Sequence, residues 1–114
     1  MSIPKIWHNP RCSKSCETLA ILKDAGFEPV VLNYLDHAPT EAELHMALTL
    51  LKIPASALIR KGENLYKTLG LANAGDEALI KAMASHPILI ERPIVFANGQ
   101  AALGRPPETV KGIL

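Results

Sequence analysis

Residues 3–34 read IPKIWHNPRCSKSCETLAILKDAGFEPVVLNY, and this stretch decides the fold class. The short apolar run at 3–7 is typical of a strand, and the apolar residues at helical spacing within 13–25 predict a helix that Gly26 ends. The β-branched run at 29–34 predicts a second strand. Strand, helix and strand in this order form a right-handed βαβ unit, so the first two strands are expected to be parallel.

A second pair of strands is predicted near the carboxyl end. The segments PIVFA at 93–97 and QAAL at 100–103 flank Asn98-Gly99, a dipeptide that accommodates the positive φ angles of a type I′ turn. They therefore predict an antiparallel β-hairpin, and a short helix with proline in its first turn is predicted after it, at about 107–112. The hairpin and the βαβ unit together predict an α/β fold with a four-stranded mixed sheet.

The middle of the chain, at about 40–86, is predicted to be a helical insertion between the two pairs of strands. Thr40-x-x-Glu43 is the pattern of a capping box and opens a helix that continues to Leu51. Further helices are predicted at about 55–59, at about 65–69 and, capped by Asp76, up to about residue 85.

Length, composition and charge narrow the function classes. The 114 residues fit a single domain, 1–114, and the formal charge of +1 provides no broad basic field for binding nucleic acid. No apolar run approaches the roughly 18 residues of a membrane span. Two cysteines do not make a disulfide scaffold, which favours a reducing, cytoplasmic setting. We therefore expect a monomer with a small, selective site and without nucleic-acid or membrane partners.

Cys12 lies between the first predicted strand and the first predicted helix. Free amides at a helix start can converge on its sulfur or on an anion beside it, and here they are those of Ser13, Lys14 and Ser15. Neighbouring Arg11, Lys14 and His8 add to the groups that lower the pKa of such a thiol. The pattern predicts a reactive thiolate, and the alternative is a small buried cysteine without a chemical role.

Arginine is a further candidate for the site. Three arginines follow apolar stretches at the ends of predicted segments, and these are Arg60, Arg92 and Arg105. A guanidinium fork matches a tetrahedral oxyanion or a carboxylate, so arginines converging near Cys12 would make an anion-binding nucleophile site. The alternative for each is a solvated surface charge or a local ion pair, for example between Arg92 and Glu91.

Cys16 gives the chain a Cys-x-x-x-Cys spacing, which offers too few ligands for a zinc site, and we expect no metal. Positions 12 and 16 lie about one helical turn apart, so a disulfide between them is sterically conceivable, although it would need adjustment of the helix end. Cys16 is therefore a candidate resolving thiol, and the alternative is that it packs on the helix.

Four segments of the chain resemble the arsenate reductase family of the glutaredoxin-coupled type. They are HNPRCSKSCETL at 8–19, ALIRKGENLYKTLGL at 57–71, HPILIERPIV at 86–95 and GRPPE at 104–108. The resemblance implies a thioredoxin-like fold with a helical insertion. It also implies that Cys12 is the nucleophile, that His8 helps to hold its thiolate and that Pro93 is cis. The residues implied to bind the oxyanion are Arg60, Arg92 and Arg105.

The mechanism that the resemblance implies begins with attack of the Cys12 thiolate on arsenate. Glutathione then adds to the arsenic as a co-substrate, and glutaredoxin reduces the mixed adduct to release arsenite, without a bound cofactor. The family usually has arginine where Cys16 stands. Related small proteins suggest two alternatives, a glutathione-dependent thiol reductase for another substrate and a redox-sensing regulator that binds RNA polymerase. The regulator would have a Cys-x-x-Cys switch, which this chain lacks.

Overall fold

The computed structural model of the protein describes residues 3–114. The chain divides into two compact units. The first comprises the described part of Met1–His37 together with Arg92–Leu114, and the second is Ala38–Glu91.

A four-stranded mixed sheet forms the centre of the first unit. Its strands are β1 (Lys5–His8), β2 (Val30–Asn33), β3 (Ile94–Ala97) and β4 (Gln100–Leu103), in the order β2-β1-β3-β4. β1 is parallel to β2, whereas β3 is antiparallel to both β1 and β4. The predicted mixed sheet is therefore confirmed. β1 begins later than predicted because Pro4 has no N–H for the ladder, although its carbonyl accepts the N–H of Val30 at 2.8 Å.

One face of this sheet is covered by α1 (Ser13–Asp24) and by a 3-10 helix at Pro107–Ile113. The shared core consists of apolar side chains at most 9% exposed, namely Ile6, Leu22, Val95, Ala97, Ala102, Val110 and Ile113. The last predicted helix is thus present, but it is wound as a 3-10 helix, a form that is common in short terminal pieces. Burial of this apolar surface holds α1 against β1, so the start of α1 has a fixed position at the end of the strand.

The predicted hairpin turn is also confirmed. Asn98 has φ 54° and Gly99 has φ 72°, the two positive values that a type I′ turn requires. The side-chain amide of Asn98 donates to the carbonyl of Ile113 at 2.8 Å, which ties the turn to the last 3-10 helix.

The second unit is helical. It contains α2 (Glu41–Leu51), α3 (Ala55–Leu58), α4 (Asn64–Thr68), α5 (Asp76–Ser85) and 3-10 turns at Leu71–Asn73 and Pro87–Leu89. The capping box is confirmed, since the Thr40 hydroxyl accepts from the N–H of Glu43 and the Glu43 carboxylate accepts from the N–H of Thr40. Asp76, predicted to cap α5, is instead its first residue, because Gly75 already takes the extended N-cap conformation. Its carboxylate therefore lies near the positive end of the helix dipole.

Within residues 3–114, no helix has both the length and the hydropathy needed to cross a membrane.

Gly104, directly after β4, leaves no room for a side chain. A Cβ atom at this position would overlap Thr18 Oγ1 on α1 and would lie 2.7 Å from Pro93 Cγ. The Thr18 hydroxyl is held by donation to the Lys14 carbonyl at 2.8 Å, and the proline ring is rigid, so neither can move aside freely.

We expect Gly104→Ala to lower the free energy of unfolding by about 1–3 kcal/mol, because the added methyl group overpacks this contact. Urea denaturation followed by circular dichroism measures the change. Gly112→Ala is the matched control, since a Cβ at Gly112 has no heavy atom within 4 Å. Equal midpoints for the two variants would show that the contact at Gly104 yields without strain.

Candidate active site

Cys12 is the N-cap residue of α1, and the amides of the first helical turn surround its sulfur. Its backbone is extended, with φ −100° and ψ 121°, and its N–H donates to the Asn9 carbonyl at 3.0 Å. The backbone N–H groups of Ser15 and Lys14 hydrogen-bond to the sulfur. The residue is 8% exposed, so these donors face a sulfur with little access to water. Such a cluster of amides stabilises negative charge.

The thiol of Cys12 ionises more readily than an ordinary thiol. Burial raises its pKa, because a thiolate loses solvation in this position. Four effects oppose burial and together exceed it: the Ser15 N–H, the charge of Arg92, the Lys14 N–H and a hydrogen bond from the Arg92 side chain. The pKa of Cys12 therefore lies below its usual value of 9.0, which increases the thiolate fraction at neutral pH.

Arg92 and Arg105 both reach Cys12 from the hairpin side of the sheet. Arg92 immediately precedes the cis Arg92–Pro93 bond and β3, and Arg105 follows β4. Arg105 Nη2 donates to Cys12 Sγ at 3.8 Å, while its Nε donates to the Arg92 carbonyl at 2.8 Å. The second contact fixes the Arg105 fork beside the thiol. The structure thus brings together the sulfur, two amides and two guanidinium groups, a combination suited to a tetrahedral oxyanion.

Arg60 belongs to the second unit, where it is held by local contacts. Its N–H donates to the Leu89 carbonyl at 2.7 Å and its Nη1 to the Ile88 carbonyl at 3.3 Å. Its Nη2 pairs with Glu63 at 2.8 Å, and both side chains are at most 26% exposed. A local ion pair was the alternative for each arginine, and it is Arg60 that forms one, with Glu63. Its role in anion binding stays a prediction.

His8 and Ser15 connect the end of β1 to the first turn of α1. His8 is buried, and its Nδ1 lies 2.6 Å from Ser15 Oγ, which also accepts the N–H of Asn9 at 3.0 Å. Burial lowers the pKa of His8, and the charge of Lys23 lowers it further. The imidazole is therefore neutral at pH 7 and adds no positive charge beside the thiolate. The connection between His8 and Cys12 runs through Ser15, whose side chain contacts His8 and whose N–H bonds to the sulfur.

Asn9 is a site residue that the sequence analysis missed. Its carbonyl accepts from Cys12, its N–H donates to Ser15, and its side-chain oxygen accepts the N–H of Arg11 at 3.0 Å. The signal for this role was the Asn9-Pro10 dipeptide, since asparagine in a turn bonds the backbone two residues ahead. Arg11 itself and the first helical residue, Ser13, have exposed side chains.

We expect Ser15→Ala to lower the free energy of unfolding by about 1–3 kcal/mol, because it leaves the buried His8 Nδ1 and the Asn9 N–H without their shared partner. Urea denaturation measures this loss. Ser13→Ala is the control, since it removes an exposed hydroxyl from the same helical turn. If the two alanine variants unfold at the same urea concentration, the hydroxyl of Ser15 does not hold the turn.

Cys16 lies one turn into α1 with an exposed side chain, and both cysteines are free. Its N–H donates to the Cys12 carbonyl at 3.0 Å, which is the first bond of the helical ladder. Its thiol donates to the Pro10 carbonyl at 3.4 Å. The thiol therefore points back toward the loop that carries Cys12, rather than outward from the helix.

The chain is similar to known proteins along nearly its whole length. The profile of the ArsC family matches residues 7–113. A protein of Escherichia coli strain K12, the uncharacterized protein YfgD, is 52% identical over 96% of this chain and 95% of its own. An arsenate reductase of Neisseria meningitidis serogroup A is 46% identical over 96% of this chain and 97% of its own.

Solved structures of other proteins have the same fold as this chain. The structure of an arsenate reductase from Vibrio cholerae superposes on this chain with a TM-score of 0.94 at 50% identity, covering 97% of each chain. The predicted thioredoxin-like fold with a mixed four-stranded sheet is confirmed by these comparisons.

Proposed function

Because the chain belongs to the ArsC family, as its four sequence motifs predicted, we propose that it reduces arsenate to arsenite through a covalent adduct on Cys12. The observation that carries this proposal is the contact between a thiol of lowered pKa and the guanidinium groups of Arg92 and Arg105. A nucleophile and a set of anion-binding groups at one point are what covalent reduction of an oxyanion requires.

Binding of arsenate is the first step. The forks of Arg92 and Arg105 hold oxygens of the tetrahedral anion, and the amides of Ser13, Lys14 and Ser15 at the start of α1 complete the cradle. Arg60 is proposed as a third arginine ligand, on the resemblance alone. These fixed donors also stabilise the charge that develops on the oxygens during attack, without having to reorganise.

Reduction follows in displacement steps. The Cys12 thiolate attacks arsenic and forms a sulfur–arsenic bond, while one oxygen of the anion leaves as water after taking up protons from the anion and from solvent. Glutathione then displaces a second oxygen as water and bonds to the arsenic. A glutaredoxin thiolate attacks the glutathione sulfur, so a mixed disulfide forms, the sulfur–arsenic bond breaks and its electron pair reduces arsenic from the +5 to the +3 state. Water cleaves the remaining bond to Cys12, which releases arsenite and regenerates the thiol. These thiol reductants belong to a reducing compartment, so we place the protein in the cytoplasm and expect it to act as a monomer without a bound cofactor.

The test is an arsenite assay with the purified protein, arsenate, glutathione and glutaredoxin. We expect repeated turnover, with more arsenite formed than there is protein, only when protein, arsenate and thiol reductant are all present. A folded protein that forms no more arsenite than the protein-free control would overturn the proposal. Reduction of mixed disulfides in place of arsenate would favour a thiol reductase, and capture of RNA polymerase would favour a regulator.

A further inference from the structure

Cys16 is free, exposed and one helical turn behind the nucleophile, and the steps above do not use it. We propose that Cys16 is the resolving thiol of this site and releases arsenite by forming a disulfide with Cys12. The inference rests on the proposed function, since it concerns the same adduct. In this sequence of steps the external thiol reductants act on the Cys12–Cys16 disulfide and not on the arsenic adduct.

The direction of the Cys16 side chain is the first support. Helical side chains lean toward the amino terminus of the helix. Here the lean is sufficient for Cys16 Sγ to reach the Pro10 carbonyl at 3.4 Å, two residues before Cys12. The thiol therefore already lies over the loop that holds the nucleophile, and rotation about its Cα–Cβ bond can redirect it toward the Cys12 sulfur.

The backbone separation is the second support. The Cys16 N–H bonds to the Cys12 carbonyl, which fixes the two residues at the spacing of one helical turn. Their Cα atoms are then about 6 Å apart, inside the range of about 4.4–6.8 Å that disulfides span. Cys12 is an N-cap with extended φ and ψ, so its adjustment disturbs only the first bond of the ladder. The high effective concentration of a neighbouring thiol favours its attack over that of an external one.

The proposed step balances. The Cys16 thiol gives up its proton, and its sulfur attacks Cys12 Sγ in the sulfur–arsenic adduct. The sulfur–sulfur bond forms as the sulfur–arsenic bond breaks, and the electron pair of the broken bond passes to arsenic, which falls from the +5 to the +3 state. The two cysteines are oxidised together, and arsenite leaves after taking up the proton.

Exposure and charge then determine how the site is regenerated. Cys16 is exposed whereas Cys12 is buried, so an external thiolate reaches the Cys16 side of the disulfide. Its attack expels Cys12, which leaves readily because its thiolate is stabilised by amides and guanidinium groups. A second external thiol then frees Cys16. The reductant is therefore a small-molecule thiol or a protein dithiol.

A single-turnover experiment tests the proposal. Fully reduced protein is freed of external thiol and mixed with arsenate, arsenite is quantified, and the cysteines are mapped by mass spectrometry. We expect close to one arsenite per chain and an intramolecular Cys12–Cys16 disulfide on the monomer. Cys16→Ser should form essentially no arsenite under these conditions, and added glutathione should restore it, because glutathione replaces the missing thiol.

The other results are equally decisive. Arsenite formation by the unaltered protein only after glutathione and glutaredoxin are added would overturn the role of Cys16 and leave the proposed function standing. No arsenite under either condition would overturn both. A further measurement does not use arsenate: oxidised glutathione should give the Cys12–Cys16 bridge in the unaltered protein and a stable mixed disulfide on Cys12 in Cys16→Ser. A persistent mixed disulfide in both proteins would contradict the proposal.

Discussion

Replacing Cys12 by serine is expected to abolish arsenite formation. A serine hydroxyl is not ionised near neutral pH, forms no sulfur–arsenic bond and has no redox chemistry. The arsenite assay with glutathione and glutaredoxin measures the effect under the conditions that give the unaltered protein its full rate. Retention of even a tenth of that rate by folded Cys12→Ser would remove Cys12 as the nucleophile.

The variant should remain folded, which makes the result interpretable. Serine is a favoured N-cap residue, and Cys12 occupies the N-cap of α1. Circular dichroism and the urea midpoint check this expectation. Arg11→Ala serves as the activity control, since Arg11 is next to the nucleophile in sequence but has an exposed side chain. Its rate should stay close to that of the unaltered protein.

Removal of an arginine from the anion site is expected to have the second largest effect. Arg92→Ala and Arg105→Ala should each lower kcat/KM by roughly ten- to a hundredfold, equivalent to the loss of about 1.5–3 kcal/mol of charge-assisted contact. Arg92→Ala should also raise the pKa of the Cys12 thiol, because it removes a charge and a hydrogen bond that favour the thiolate. Lysine should substitute poorly, since an ammonium group lacks the planar fork.

The same measurement on Arg60→Ala tests whether the third arginine takes part. Because Arg60 pairs with Glu63, this variant is compared with Glu63→Gln, which breaks the ion pair and keeps the guanidinium group. A loss of kcat/KM confined to Arg60→Ala would assign it to the anion. If Arg11→Ala impaired catalysis more than any of the other three alanine variants, the arginine site would be wrong.

The order of strands and helices could be predicted because it depends on local patterns. The alternation of apolar runs and glycine in residues 3–34 is sufficient to predict a βαβ unit. Asn98-Gly99 specifies the turn of the β3–β4 hairpin through two positive φ angles. The residue at which a helix begins could not be predicted where two neighbouring residues can each serve as its N-cap. Asp76 and Gly75 could each end the loop before α5, and only the backbone shows that glycine is the N-cap.

The chemistry of the site was predictable only in part. Cys12 and its helix amides lie close together in sequence, so their contact follows from the predicted start of α1. Arg105 is 93 residues away, and its contact with the sulfur depends on the hairpin returning beside β1. No spacing rule predicts the hydrogen bond between Ser15 and His8, since it depends on the packing of α1 on the sheet.

The rate of alkylation of Cys12 by iodoacetamide as a function of pH, with and without arsenate, tests the central claim most directly. A Cys16→Ser background leaves Cys12 as the only thiol in the chain. Because the pKa of Cys12 is lowered, the rate should reach half of its maximum below pH 9.0, and arsenate should slow it by occupying the arginines. A midpoint at or above 9.0, or a rate that arsenate leaves unchanged, would contradict a thiolate poised beside an oxyanion site.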